Sequence, residues 1–151
     1  MKKVLFVCLG NICRSPLAEA LFNKHVQDAG LQDKYIGDSC GTAAYHIGEQ
    51  PDVRSRANAR ENGFDYSHQG RQIKEADFTE FDLIIPMDAS NMSNLEKVDP
   101  GGTATLQLMR DYDSGFEGED VPDPYFDHGF QNVFDILDRS TKALLDNLES
   151  Q

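Results

Sequence analysis

Short unbroken apolar runs alternate with stretches whose apolar residues recur three and four positions apart. Residues 3–8 are nearly all apolar and β-prone, with no alternation. That pattern suits a strand buried on both faces of a parallel sheet. A Gly-containing loop follows, and Ser15-Pro16 predicts a helix start, with Ser15 as N-cap and Pro16 at the first helical position. This helix is expected to run to about residue 29, burying Ala18, Leu21, Phe22, Val26 and Ala29, with Gly30 ending it. Residues 35–40 predict a second strand, residues 41–51 a loop carrying Tyr45 and His46, and residues 52–62 a helix closed by Gly63. A third strand is expected over 81–87, with Pro86 near its end because proline cannot donate to a ladder. Then come a short helix over 88–95, a turn at Asp99-Pro100-Gly101-Gly102 and a strand over 103–109. Residues 111–129 are acidic and rich in Gly and Pro, which predicts a long solvated loop. The last helix, over 131–148, places Val133, Ile136, Leu137, Leu144 and Leu148 on one face.

Strands alternating with helices imply an α/β fold with a mostly parallel sheet. Such sheets bind ligands outside the C-terminal ends of their strands, and Cys8 stands at the end of the first. The 151 residues fit a single domain over 1–151, with no repeat or linker. Composition narrows the class further. About 39% of residues are apolar, including nine Phe and five Tyr, which is enough for a real core. The 26 acidic residues against 14 basic give a net charge of −12, which argues against nucleic acid or an anionic membrane as partner. An anionic substrate must then be held by a local positive site. No apolar run approaches the roughly 20 residues of a membrane span. The N-terminal apolar stretch is too short for a signal peptide. Three cysteines, at 8, 13 and 40, form no disulfide framework and point to the reducing cytoplasm.

The loop Cys8-Leu9-Gly10-Asn11-Ile12-Cys13-Arg14-Ser15 carries the chemistry. A strand, a tight loop and a helix start place successive backbone N–H groups around an anion, and the helix dipole adds positive potential. Arg14 can add two parallel donors to a phosphate. A cysteine in that field is expected as the thiolate, placed beneath the phosphorus. Ser15 can donate to the sulfur as it leaves in a second step. Gly10 permits a close turn, and Asn11 tolerates a left-handed conformation. The acidic residues Asp111, Asp113, Glu117, Glu119 and Asp120 do not have calcium-loop spacing, since Pro122 occupies the twelfth position.

Cys8-x5-Arg14-Ser15 so near the N-terminus resembles the low-molecular-weight protein tyrosine phosphatase family. The resemblance extends through Ser39-Cys40-Gly41-Thr42-Ala43-Ala44-Tyr45-His46, Ser67-His68 with Arg71-Gln72-Ile73, Asp82-Leu83-Ile84-Ile85 with Met87-Asp88, and Asp123-Pro124-Tyr125-Phe126. It covers essentially the whole chain. It implies a three-layer fold with a four-stranded sheet between helices. It also implies hydrolysis of phosphotyrosine through a phosphocysteine, with no cofactor and no metal. Cys8 is then the nucleophile, Arg14 the phosphate ligand, and Asp123 the general acid and later base. Leu9, Gly10, Asn11, Ile12, Cys13 and Ser15 form the phosphate loop. Tyr45, Tyr125 and Phe126 line the pocket above it. The resemblance makes Ser39 and Asn11 supports of the loop, and His68 and Asp88 a buried pair behind it. It also allows Cys13 a reversible disulfide with Cys8.

Three rivals differ in particular residues. An arsenate reductase of the same fold needs two further cysteines, and none follows Cys40. A protein arginine phosphatase typically carries Thr where this chain has Ile12. A non-catalytic phosphate-binding module would not need Cys8, Arg14 and Asp123 together. The expected partner is a phosphotyrosine protein, for which a bacterial tyrosine kinase is one family analogy. The expected state is a monomer or weak dimer.

Overall fold

β1 (Lys2–Cys8) divides the core in two, because successive strand residues point to opposite faces. Val4, Phe6 and Cys8 join one apolar cluster, Leu5 and Val7 the other. Both faces are covered, which is why the run shows no polar alternation. The structure, a computed structural model, describes residues 1–127 and 129–151, without the side chains of residues 126 and 127. Phe126, expected in the pocket wall, therefore lies outside the described residues.

β2 (Tyr35–Gly41), β3 (Leu83–Pro86) and β4 (Thr105–Leu106) complete a parallel four-stranded sheet in the order β2-β1-β3-β4. On one face pack α1 (Arg14–Asp28), Ala59 of α2 (Val53–Glu61) and the long α6 (Phe130–Glu149). On the other lie Phe78 of α3 (Asp77–Glu80) and Leu95 of α4 (Ala89–Val98). A short helix α5 (Pro124–Asp127) follows Asp123. The three-layer arrangement agrees with the expectation. The register pairs Cys8 with Gly41 and Val7 with Pro86, so three strands end at one edge of the sheet. Among the described residues, no helix is long and apolar enough to cross a membrane.

Several local expectations are corrected. α1 begins at Arg14 after an N-cap at Cys13, so Ser15 is inside the helix and caps nothing. Pro16 is tolerated there because first-turn N–H groups have no intrahelical acceptor. Ala29 is exposed, and Gly30 takes φ +70° to close the helix, as predicted. The third strand is only Leu83–Pro86. The fourth is two residues followed by a 3-10 turn at Met109–Tyr112, since it pairs only with short β3 along one side. The acidic segment 111–129 is not simply solvated. Asp113 is 3% exposed, with both oxygens taken by Arg110 and Arg139. Both guanidinium groups also lie over the Phe116 ring.

Candidate active site

The turn between β1 and α1 is held from inside by Asn11. Its φ is +56°, the left-handed conformation expected for it, and the residue is 1% exposed. Asn11 Oδ1 accepts from the Arg71 backbone N–H (3.0 Å) and from His68 Nε2 (2.9 Å). Its Nδ2 donates to Ser15 Oγ (2.8 Å) and Ser39 Oγ (3.1 Å). The loop is also held from outside. The carbonyls of Cys8, Leu9 and Ile12 accept from the N–H groups of Thr42, Ala43 and Asp52, at 3.0, 3.0 and 2.8 Å. A trans peptide sets N–H opposite C=O, so the amides of Leu9, Gly10 and Cys13 turn toward the concave side. With the N-terminus of α1 they form an anion nest. Gly41 permits this closure, because a Cβ there would sit 2.7 Å from the Leu9 carbonyl oxygen.

Cys8 closes the bottom of the nest and is 3% exposed. Its Sγ lies 3.0 Å from Ser15 Oγ. Arg14 is also buried. Its Nη1 donates to Asp88 Oδ2 (2.7 Å) and to the Val121 carbonyl (2.9 Å). Nη2 stands 3.7 Å from Asp123 Oδ2. Burial disfavours the guanidinium charge, but Cys8, Asp88 and Asp123 outweigh it and raise the Arg14 pKa. Asp123 Oδ1 accepts from the Tyr125 backbone N–H (3.0 Å), which fixes the carboxylate beside the nest. Pro124 begins α5.

Cys8, Gly10, Arg14 and Asp123 line one pocket of about 250 Å³. Its walls are Leu9, Ile12, Cys13, Tyr45, His46 and Tyr125. Tyr45 and Tyr125 are 72% and 47% exposed, so the walls reach into solvent as an aromatic rim. The side chains of Asn11 and Ser15 do not line this pocket; they brace the loop from beneath. Burial, then the charges of Asp52, Cys8 and Asp123, push the Cys13 thiol pKa up, so Cys13 stays protonated.

The expected pairing of His68 with Asp88 is not formed. Asp88 serves Arg14 and caps α4, accepting from the Asn91 N–H (2.7 Å). His68 lies on the other side of the loop. Its Nδ1 is 3.2 Å from Glu19 Oε1, and its Nε2 meets Asn11 and Ser39. Family analogy alone joins the two residues, and nothing in their spacing tells which charge each meets. The sequence alone points to no role for Glu19 or Arg71. Glu19 sits four residues after Ser15 on the same helix face, which was the available signal. Ser39 Oγ donates to Glu19 Oε1 (2.8 Å). Burial pushes the Glu19 carboxyl up to about 7. Burial also lowers the His68 pKa. Arg71 bridges Asp38 and the wholly buried Asp77. Among the described residues, Glu19, Asp38 and His68 bring three potential metal-ligand atoms within 4.8 Å of one another. Asp38 is already paired with Arg71 and His68 with Asn11, so the group acts as a braced support.

Comparison with known proteins agrees with this geometry. Residues 3–151 match the model of the low molecular weight phosphotyrosine protein phosphatase family. A low molecular weight phosphotyrosine protein phosphatase of Schizosaccharomyces pombe is 45% identical over 126 residues, covering 82% of this chain and 81% of that one. The crystal structure of an Entamoeba histolytica protein tyrosine phosphatase superposes with a TM-score of 0.93 at 40% identity, over 99% of this chain and 98% of that one. A Drosophila arginine phosphatase superposes with a TM-score of 0.91 at 35% identity, over 100% of this chain and 99% of that one. The fold, the phosphate loop and these likenesses converge: the chain belongs to the low molecular weight phosphotyrosine protein phosphatase family of enzymes.

Proposed function

We propose that this enzyme hydrolyses protein phosphotyrosine, and small aryl phosphates, through a phosphocysteine intermediate. The observation that carries the reading is the meeting of Cys8, Arg14 and Asp123 in one pocket walled by Tyr45 and Tyr125. In the first step the Cys8 thiolate attacks phosphorus and the P–O bond to the phenol breaks. Asp123 passes its proton to the departing oxygen. The equatorial oxygens rest on the loop amides and Arg14. In the second step the Asp123 carboxylate takes a proton from water, the hydroxide attacks phosphorus, and the P–S bond breaks. Cys8 returns as thiolate, accepting a hydrogen bond from Ser15, and inorganic phosphate leaves. The aromatic rim supports an aryl substrate, since a short phosphoserine would not span it.

A second reading, arginine phosphatase, has one observation in its favour: the Drosophila enzyme of that name shares the fold. Ile12 lies in the pocket wall, where an apolar branched side chain suits a phenyl ring better than a guanidinium. The partner we infer is a phosphotyrosine protein, with a bacterial tyrosine kinase as one class. The setting we infer is the reducing cytoplasm, and the three cysteines are free. The test compares phosphotyrosine, phosphoarginine and phosphoserine peptides on wild type and Ile12→Thr. The reading expects phosphotyrosine to be preferred by wild type and Cys8→Ser to be inactive. A faster rate on phosphoarginine would select the second reading, and activity in Cys8→Ser would overturn the mechanism.

A further inference from the structure

Arg54 does not line the pocket, yet it touches both halves of it through intermediaries. It lies in the first turn of α2, beside the capping residue Asp52. Three of its groups converge on that carboxylate: the backbone N–H (2.8 Å) and Nε (3.1 Å) on Oδ1, and Nη2 (3.0 Å) on Oδ2. Asp52 in turn donates its N–H to the Ile12 carbonyl (2.8 Å), so this pair is tied to the phosphate loop. The flat guanidinium also lies over two rings, with Cζ 5.2 Å from the Tyr125 centroid and 5.0 Å from the Phe130 centroid. Both distances are within cation–π range. Tyr125 is the residue whose N–H holds Asp123 Oδ1 (3.0 Å).

We infer that Arg54 is a positioning residue for the general acid, locking the segment that bears Asp123 to the phosphate loop through Asp52 on one side and Tyr125 on the other. The chain of contacts runs from the Ile12 carbonyl to Asp52, to Arg54, to the Tyr125 ring and backbone, and to the Asp123 carboxylate. Asp123 lies between two buried residues, Val121 in the core and Pro124, and the chain turns outward only at Tyr125. Tyr125 itself is 47% exposed, and Asp123 is half-buried. Val121 and Pro124 anchor the backbone before and after Asp123, but the Tyr125 side that holds its carboxylate is open to solvent, and a carboxyl displaced by about an ångström loses much of its catalytic effect. Arginine suits the task better than lysine, because only a planar fork can engage a carboxylate edge-on while its faces stack on rings.

This inference rests on the phosphatase reading, in which Asp123 protonates the leaving group. It predicts a leaving-group signature. Phenyl phosphate needs the proton from Asp123, whereas dinitrophenyl phosphate expels a stable anion without it. The measurement is kcat/KM for both substrates on wild type, Arg54→Met and Arg54→Lys, together with inhibition by inorganic phosphate. Arg54→Met is expected to lose about tenfold on phenyl phosphate and less than about twofold on dinitrophenyl phosphate, with the phosphate inhibition constant unchanged. Arg54→Lys is expected to fall between wild type and Arg54→Met on phenyl phosphate. Equal losses on both substrates, no loss on either, or weakened phosphate inhibition with equal losses would overturn the positioning role while leaving the phosphatase reading intact. A wild type silent on both aryl phosphates would overturn the reading and the inference together.

Discussion

Ser15 Oγ sits 3.0 Å from Cys8 Sγ while accepting the Asn11 amide at 2.8 Å. The amide occupies an oxygen lone pair, so the hydroxyl proton is left to point at the sulfur or at the Cys40 carbonyl, 3.3 Å away. The shorter contact to a charged acceptor wins once the thiolate forms. Asn11 thereby aims Ser15 at Cys8, and His68 and Arg71 aim Asn11.

Ser15→Ala should therefore slow the second half-reaction, in which sulfur leaves. A hydrogen bond to a charged group contributes about 1.5–3 kcal/mol, which corresponds to a loss of roughly 10- to 160-fold in kcat. Rapid-mixing kinetics should show a burst of phenol followed by the slow phase. An unchanged kcat would mean that the hydroxyl serves Cys40 instead.

Asp123 stands 3.7 Å from Arg14 Nη2, the group proposed to hold the phosphate oxygens. Asp123→Asn removes the transferable proton and also a negative charge facing the anion. Turnover should fall by roughly 10²–10⁴, while inorganic phosphate and vanadate inhibit more tightly than in wild type. Weaker inhibition would show that Asp123 orients Arg14 more than it repels the anion.

Glu19 has a folded-state pKa raised, chiefly by burial, from 4.5 to about 7. Its protonated form can donate to His68 Nδ1 while accepting from Ser39. Asn11 Oδ1 is only an acceptor, so His68 Nε2 carries its hydrogen and Nδ1 is left to accept. Between the two pKa values the folded state holds a proton that the unfolded state has lost. Stability from this group is complete below about pH 4.5 and is lost as pH rises toward and past 7. Glu19→Gln keeps a donor and an acceptor without the charge. Thermal melts should find it close to wild type at acid pH and more stable than wild type at mildly alkaline pH. A constant gap between the two melting curves across that range would refute this account of the Glu19–His68 contact.

Cys13 lines the same pocket as Cys8, and its thiol stays protonated because burial and three neighbouring negative groups oppose its ionisation. It is thus unsuited to attack phosphorus, and Cys13→Ser should retain aryl phosphate hydrolysis. Oxidation of Cys8 to its uncharged sulfenic acid removes one of those negative groups, so that Cys13, in the same pocket, can give up its proton and capture the oxidised sulfur. Under peroxide, wild type should lose two hydrogens and regain activity with reductant, whereas Cys13→Ser should gain oxygen and stay inactive. The same mass change in both proteins would remove the protective role.

The phosphate loop was legible because all its parts are contiguous. A buried strand end, five residues and an arginine at a helix start dictate their own geometry over a few ångströms. Ser-Pro is a strong local signal that sets the expected helix start two residues late. The actual start at Arg14 follows from tertiary anchoring of the guanidinium by Asp88 and the Val121 carbonyl. The two-residue β4 was overestimated for a related reason: apolar content predicts a strand, but the length of the neighbouring strand limits the pairing.

By itself the sequence determined the alternation of strands and helices, the place of Cys8 at a strand end, and the contiguous loop in which Cys8 and Arg14 are the proposed nucleophile and anion ligand. These depend on backbone preferences and on residue types at fixed spacing. The tertiary structure alone decided which charges meet. Asp88 goes to Arg14 rather than His68, Glu19 joins His68, and Arg54 stacks on Tyr125. The three pairs that form join residues 49 to 74 positions apart, whereas Asp88 and His68, which do not pair, are 20 apart. An ion pair or a stacked ring leaves no periodic trace in a chain, because its geometry is set by how the layers pack and not by neighbours in sequence.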